Sequence, residues 1–180
     1  MFSDIKNPLF LKKGAAINPI STGNRVGFLS FPRCGNSFLR KYLQNITGVQ
    51  TGADMGFDMG LTVHQLYAEF LGESICDETV WIQKSHDPIY LPGSLINKVN
   101  KVICVVRNPY DAFISMTHFI GGVMSGQVAQ NFAEDIPSEW NELIRGMAEG
   151  FNAFHSHMML EISEHVPVYF LRYEDLLLKP

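Results

Sequence analysis

The sequence predicts an α/β domain of three layers, α/β/α, with a mainly parallel sheet covered on both faces by helices. Two observations carry that expectation. Short apolar runs rich in branched residues recur at Val26 to Phe31, Thr79 to Ile82, Lys101 to Val106 and Val166 to Leu171, each followed by polar or loop residues. Between them the apolar spacing changes to threes and fours, as in helices that bury one side. Continuous apolar strands alternating with amphipathic helices are the pattern of a parallel sheet buried on both faces. Residues 25–180 make up this domain and residues 1–24 read as an N-terminal extension.

The first run, Val26 to Phe31, breaks at Pro32-Arg33-Cys34-Gly35 and gives way to a helical pattern. There Phe38, Leu39, Tyr42, Leu43 and Ile46 fall on one face, and Gly48 follows as a C-terminal cap. The stretches "TGADMGFDMG" (51–60) and "IGGVMSGQVAQ" (120–130) are rich in glycine and methionine. They read as mobile surface segments or parts of an acceptor pocket. From Ser138 a long helical stripe runs through Trp140, Leu143, Ile144, Met147, Phe151, Phe154 and Met158. Such a stripe is a core face rather than a cofactor box.

Composition narrows the function. With 14 basic against 18 acidic residues and no run of Lys or Arg, a non-specific grip on nucleic acid or on an anionic membrane is excluded as a first reading. The amino end carries Asp4 and Pro8 within its short apolar patch, which fits neither a secretory signal nor a membrane span, so a cytoplasmic protein is expected. Cys34, Cys76 and Cys104 are odd in number and widely spaced, unlike a disulfide framework or a zinc site. Reduced thiols are expected, with Cys104 in the core. No His, Cys, Asp or Glu spacing suggests a metal, at His64, His155, His157 or His165 included, and His118 reads as packing or capping.

In open parallel sheets chemistry gathers just beyond the carboxyl ends of the strands, and three such ends stand out. At the first, Pro32 and Gly35 shape a turn and Asn36 or Ser37 begins a helix whose free N–H groups face the loop, a ready anion site to which Arg33 adds a fork of donors. It is P-loop-like without being the NTPase loop, since no Gly-Lys-Ser/Thr follows. At the second, "WIQKSHDP", Lys84 and His86 stand two apart and share a face of extended chain. They are either a base beside a cation, suited to moving a charged group onto a hydroxyl, or a pair of surface polar residues. At the third, "VVRNPYDAFISMTHF", Arg107 closes an apolar strand, Asn108 can cap and Pro109 suits a first helical position. Ser115 returns to the face of Asn108, so Arg107 and Ser115 can converge on one phosphate; an Arg107–Asp111 pair is the structural alternative.

Together these segments resemble the sulfotransferase family, whose members carry a sulfuryl group from 3′-phosphoadenosine 5′-phosphosulfate to an acceptor. "SFPRCGNSF" is similar to the family's 5′-phosphosulfate loop, "QKSHDP" to its Lys-Thr-His-x-Pro segment, and "VVRNPYDAFISMTHF" to its 3′-phosphate segment. "VYFLRYEDLLLKP" (168–180) is similar to its Tyr-Glu-Asp-Leu strand, so the resemblance covers about Val26 to Pro180 in family order. It implies that Arg33 and Lys84 assist the leaving group and that the backbone of Cys34, Gly35, Asn36 and Ser37 surrounds the 5′-phosphate. It implies further that His86 takes the acceptor's proton, that Arg107 and Ser115 hold the 3′-phosphate, and that Phe38 and Tyr173 lie near the adenine. No metal is implied where Lys and Arg neutralise the donor, and the acceptor would be a small molecule or carbohydrate bearing a hydroxyl or amine.

Cys34 stands where the family has serine and Phe38 where it has tryptophan. The family's basic glycine-rich segment, Arg-Lys-Gly-x-x-Gly, does not follow the fourth motif. The expectation is therefore a weakened 3′-phosphate site, and at Leu176-Leu177-Leu178 an uncovered apolar run suited to self-association, a homo-oligomer, or a longer chain. The alternative from another class is a truncated relative that binds the nucleotide, with or without the sulfuryl group, and does not turn over.

Overall fold

In a computed structural model of the chain, the residues described are 25–49, 51–54, 70, 72–73, 75, 80–86, 99–125 and 137–178. The N-terminal extension, residues 55–60 and 126–130 of the two glycine- and methionine-rich stretches, His64 and Cys76 lie outside them. The described strands are β1 (Val26–Ser30), β2 (Thr51–Ala53), β3 (Gly72–Glu73), β4 (Ile82–Ser85), β5 (Lys101–Val106) and β6 (Val168–Arg172). They form one sheet in the order β3-β2-β4-β1-β5-β6, and every neighbouring pair is parallel. The helices are α1 (Asn36–Thr47), α2 (Pro109–Ser125), α3 (Pro137–His157) and the short α4 (Tyr173–Leu178). A π-helical turn, Met158–Ile162, and a last turn, Ser163–His165, carry α3 toward β6. The α/β class with a parallel sheet is as the sequence predicts.

Two packed clusters flank β1 and β5. One gathers Leu29, Phe31, Cys34, Cys104 and Phe113 against Met147, Phe154 and Met158 of the long helix and its π turn. The α3 stripe is thus a core face, and fully buried residues of this size each stabilise the fold by about 1.5–3 kcal/mol. Phe31 meets Phe113, Phe151 and Phe154 edge-on at 5.3–6.4 Å, which fixes the point where β1 turns into its loop. The other cluster joins Val26, Phe28, Leu39, Ile82 and Val105.

Three local expectations need correction. The second strand is Ile82–Ser85 rather than Thr79 to Ile82. Its pairing with β1 runs from Val26↔Ile82 to Leu29↔Ser85, so the hydrogen-bonded part lies in the polar half of the segment. Burial of that half is tolerated because its side chains are partnered: Gln83 accepts from Arg25 Nη2 at 3.2 Å and Ser85 donates to Asp54. The start of "TGADMGFDMG" is no surface segment, since Thr51–Ala53 is a buried strand. A Cβ at Gly52 would lie 2.2 Å from the Ile75 carbonyl oxygen, so the approach there admits only glycine. Finally, α1 does not bury the predicted stripe: Phe38, Tyr42 and Ile46 are exposed, while Leu39, Arg40 and Gln44 face inward. Arg40 Nε and Gln44 Nε2 both donate to Thr51 Oγ1, at 2.7 and 3.0 Å, so the helix meets β2 through polar groups that a hydrophobic period cannot report. Gly48 does cap α1, with φ 70° and its N–H on the Gln44 carbonyl.

Candidate active site

The sheet order sets β4, β1, β5 and β6 side by side, so the four segments singled out in the sequence leave one edge of the sheet as neighbours. The loop after β1 is the centre. Arg33 takes a left-handed φ of 67°, which costs a non-glycine residue roughly 1–2 kcal/mol, and its carbonyl accepts from Arg107 Nη1 at 2.8 Å. Gly35 follows at φ 88°, and a Cβ on it would lie 2.3 Å from the Tyr173 ring. In α1 the first helical bond is Leu39 N–H to the Gly35 carbonyl, which leaves the N–H groups of Gly35, Asn36, Ser37 and Phe38 without a helical acceptor. The Cys34 N–H differs: it is bonded to the Phe31 carbonyl, and the thiol is buried, with its pKa pushed up to about 12 by that burial. Asn36 turns its side chain inward, with Nδ2 donating to Ser30 Oγ at 3.1 Å, and locks the helix start onto β1.

On the β5 side, Asn108 Oδ1 caps α2 by accepting from the Tyr110 N–H at 3.1 Å, and Pro109 opens the helix. Ser115 accepts from Arg33 Nε at 3.0 Å, and the Arg33 guanidinium lies 5.0 Å from the Phe119 ring centre. Arg33, Arg107 and Ser115 are therefore one group, and Arg107 makes no ion pair with Asp111 among the described residues. Burial and then the neighbouring Arg107 lower the Arg33 pKa. The Arg107 guanidinium lies over the Tyr173 ring at 4.8 Å, and its buried Nε has no partner. Two crowded cations, an orphaned guanidinium N–H and four amides without an acceptor among the described residues fit a phosphorylated ligand. Phe38 meets Tyr173 edge-on at 6.1 Å and is half exposed, an aromatic wall beside the loop.

On the β4 side, Lys84 and His86 are both buried. His86 Nδ1 lies 2.7 Å from the Ser30 carbonyl oxygen, which can only accept, so the proton sits on Nδ1 and Nε2 is the basic nitrogen. Burial above all, then the charge of Lys84, lower the His86 pKa to about 3, against the pull of that carbonyl and with a further push from Arg40. The imidazole is neutral at physiological pH. The structure brings His86 against the end of β1, while among the described residues the hydrogen bonds and ring contact of Arg33 go to the α2 and β5 side. His118 is exposed on α2, and His155 is packed on Phe151 and Phe154. No group of three or more His, Cys, Asp or Glu among the described residues is placed to hold a metal ion, and none of the described helices is long and apolar enough to cross a membrane.

A sequence profile described as "Sulfotransferase domain" matches residues 28–180. The chain belongs to the sulfotransferase family. This sulfotransferase domain is 36% identical over 90 residues to cytosolic sulfotransferase 14 of Arabidopsis thaliana, covering 48% of this chain and 25% of that protein. It is 35% identical over 102 residues to amine sulfotransferase of Oryctolagus cuniculus, covering 51% and 30%. To WSCD family member CG9164 of Drosophila melanogaster it is 27% identical over 151 residues, covering 82% and 44%. The chain thus spans between a quarter and under a half of the length of these relatives. Two residues of this candidate site receive no role from the motifs: Glu174, whose Oε1 accepts from the Asn108 N–H at 2.7 Å, and Phe119, against the Arg33 guanidinium. Both lie inside recognised segments, but only their contacts across elements reveal a role.

Proposed function

We propose that this domain transfers a sulfuryl group from 3′-phosphoadenosine 5′-phosphosulfate to a hydroxyl or amine of a small-molecule or carbohydrate acceptor. The observation that carries the reading is the placement of a neutral, tautomer-fixed His86 on one side of β1 and the Arg33–Arg107–Ser115 group on the other. The donor supplies an activated sulfuryl group and a phosphorylated leaving group. The free N–H groups of Gly35, Asn36, Ser37 and Phe38 hold its 5′ side, Arg107 and Ser115 its 3′-phosphate, and Phe38 with Tyr173 the adenine. His86 Nε2 removes the acceptor's proton, and Lys84, with Arg33 once Ser115 releases it, steadies the negative charge that develops on the leaving oxygen. In-line displacement of this kind asks for positioning and charge rather than a covalent intermediate. The free, buried thiols of Cys34 and Cys104 support a reducing, cytoplasmic setting.

Nucleotide binding without turnover is the second reading, and the burial of His86, which is 9% exposed, favours it. A donor-dependent sulfation assay over phenol, alcohol and amine panels, run beside calorimetric titration with 3′,5′-adenosine bisphosphate, separates the two. Turnover on any panel supports the transferase, and binding without turnover supports the second reading. Absence of both overturns the donor assignment.

A further inference from the structure

We propose that Glu174 is a positioning residue for the arginine that meets the 3′-phosphate, acting through the Asn108 peptide; this rests on the donor reading above. Arg107 and Asn108 form the hinge between β5 and α2, and an arginine at a hinge is useful only if the hinge is held. Two consecutive residues of α4 hold it. Tyr173 lies 4.8 Å beneath the Arg107 guanidinium, and Glu174 Oε1 accepts the Asn108 N–H at 2.7 Å. The same Tyr173 ring fills the space above Gly35, so the start of α4 touches both anion-facing loops at once. Without Glu174 the Asn108 N–H, at the entry to α2, loses its acceptor and the hinge is free to turn.

The carboxylate is an ionised acceptor: partial burial works to raise its pKa, but the Asn108 N–H, its own N–H, Arg172 and Arg107 outweigh that and hold it below the usual range. A negative charge this close to Arg107 opposes an incoming phosphate. The structure resolves the conflict by aiming the oxygen at a backbone N–H rather than at the guanidinium. Acceptor and charge therefore pull in opposite directions on phosphate affinity, and two variants separate them. Glu174→Ala removes both, whereas Glu174→Gln keeps an oxygen for Asn108 and removes only the charge.

The test titrates the 180-residue chain and both variants with 3′,5′-adenosine bisphosphate and with adenosine 5′-phosphosulfate, which lacks the 3′-phosphate. Glu174→Ala is expected to weaken the bisphosphate about tenfold and to leave the phosphosulfate within about twofold. Glu174→Gln is expected to bind the bisphosphate as tightly as the wild type or more so. Amide exchange at Asn108 should quicken in Glu174→Ala and not in Glu174→Gln. Equal loss for both nucleotides, or Gln as damaging as Ala, overturns the assignment and leaves the donor reading standing. A wild-type chain that binds neither nucleotide overturns the donor reading itself.

Discussion

The two sides of the β1 loop use positive charge in opposite ways. Toward β5 and α2 the cations are partly open to solvent, linked to one another and to a serine, and backed by aromatic rings. Toward β4 the lysine and histidine are buried at the edge of the sheet's centre, and the histidine is kept uncharged. The open side can exchange water for an anion and keep its charge throughout. The closed side holds an imidazole that stays uncharged, with a pKa lowered to about 3, and that an acceptor must reach. On the proposed reading, binding and proton transfer are therefore separable by mutation.

The sharpest break is His86→Ala. Turnover should fall about 10²- to 10⁴-fold in the sulfation assay while the bisphosphate affinity stays within about twofold, because a general base acts on the acceptor. Loss of nucleotide affinity instead would merge the two sides. Next in size is Arg107→Ala, expected to weaken 3′,5′-adenosine bisphosphate by about 10- to 150-fold, the worth of a charge-assisted contact, and adenosine 5′-phosphosulfate far less. Comparable loss for both ligands would make Arg107 a structural residue.

Acidity gives a third, smaller contrast. The folded pKa of His86, about 3, lies below the usual 6.5, so the unfolded chain binds a proton that the folded one refuses. Stability contributed by this group is full above about 6.5 and declines as pH falls toward about 3, by up to about 1.4 kcal/mol per unit. Denaturant midpoints between about pH 6.5 and 5, above most carboxylate titration, should fall more steeply for the wild type than for His86→Ala, in which His155, also lowered by burial, leaves a residual slope. The same slope in both would place the proton elsewhere. The smallest effect concerns thiols: Cys34 and Cys104, both pushed up to about 12 by burial, should resist a thiol reagent in the native protein and react on unfolding. Rapid native labelling at Cys34 would mean that the central loop opens.

How far the sequence could be read follows from the same physics. Long apolar runs such as Lys101–Val106, and stripes such as Met147 to Met158, report burial directly, so the parallel sheet and α3 are legible. The motif residues Arg33, His86, Arg107 and Tyr173 are legible as candidates because each follows a strand, Lys84 because it stands two residues before His86, and Ser115 because helical spacing returns it to the face of Asn108. Polar burial is not legible. Thr51 sits in a strand because Arg40 and Gln44 reach it from α1, and Lys84 lies within β4 because its neighbours have partners across the sheet. Nor does spacing say that Arg33 joins Ser115 rather than Lys84, since that depends on a left-handed residue in the loop.

The order β3-β2-β4-β1-β5-β6 has a consequence for how the molecule comes into being. β1, inside the sheet, is the first of the described strands, and both of its partners arrive from far along the sequence. Its pairings are non-local, and loops must close before any of them is rewarded, a topology that folds slowly and exposes strand edges while it waits. The histidine, the central loop and the arginine are brought together by the pairing of β1 with both β4 and β5. On the proposed reading, refolding experiments should recover nucleotide affinity in the same kinetic phase as the sheet.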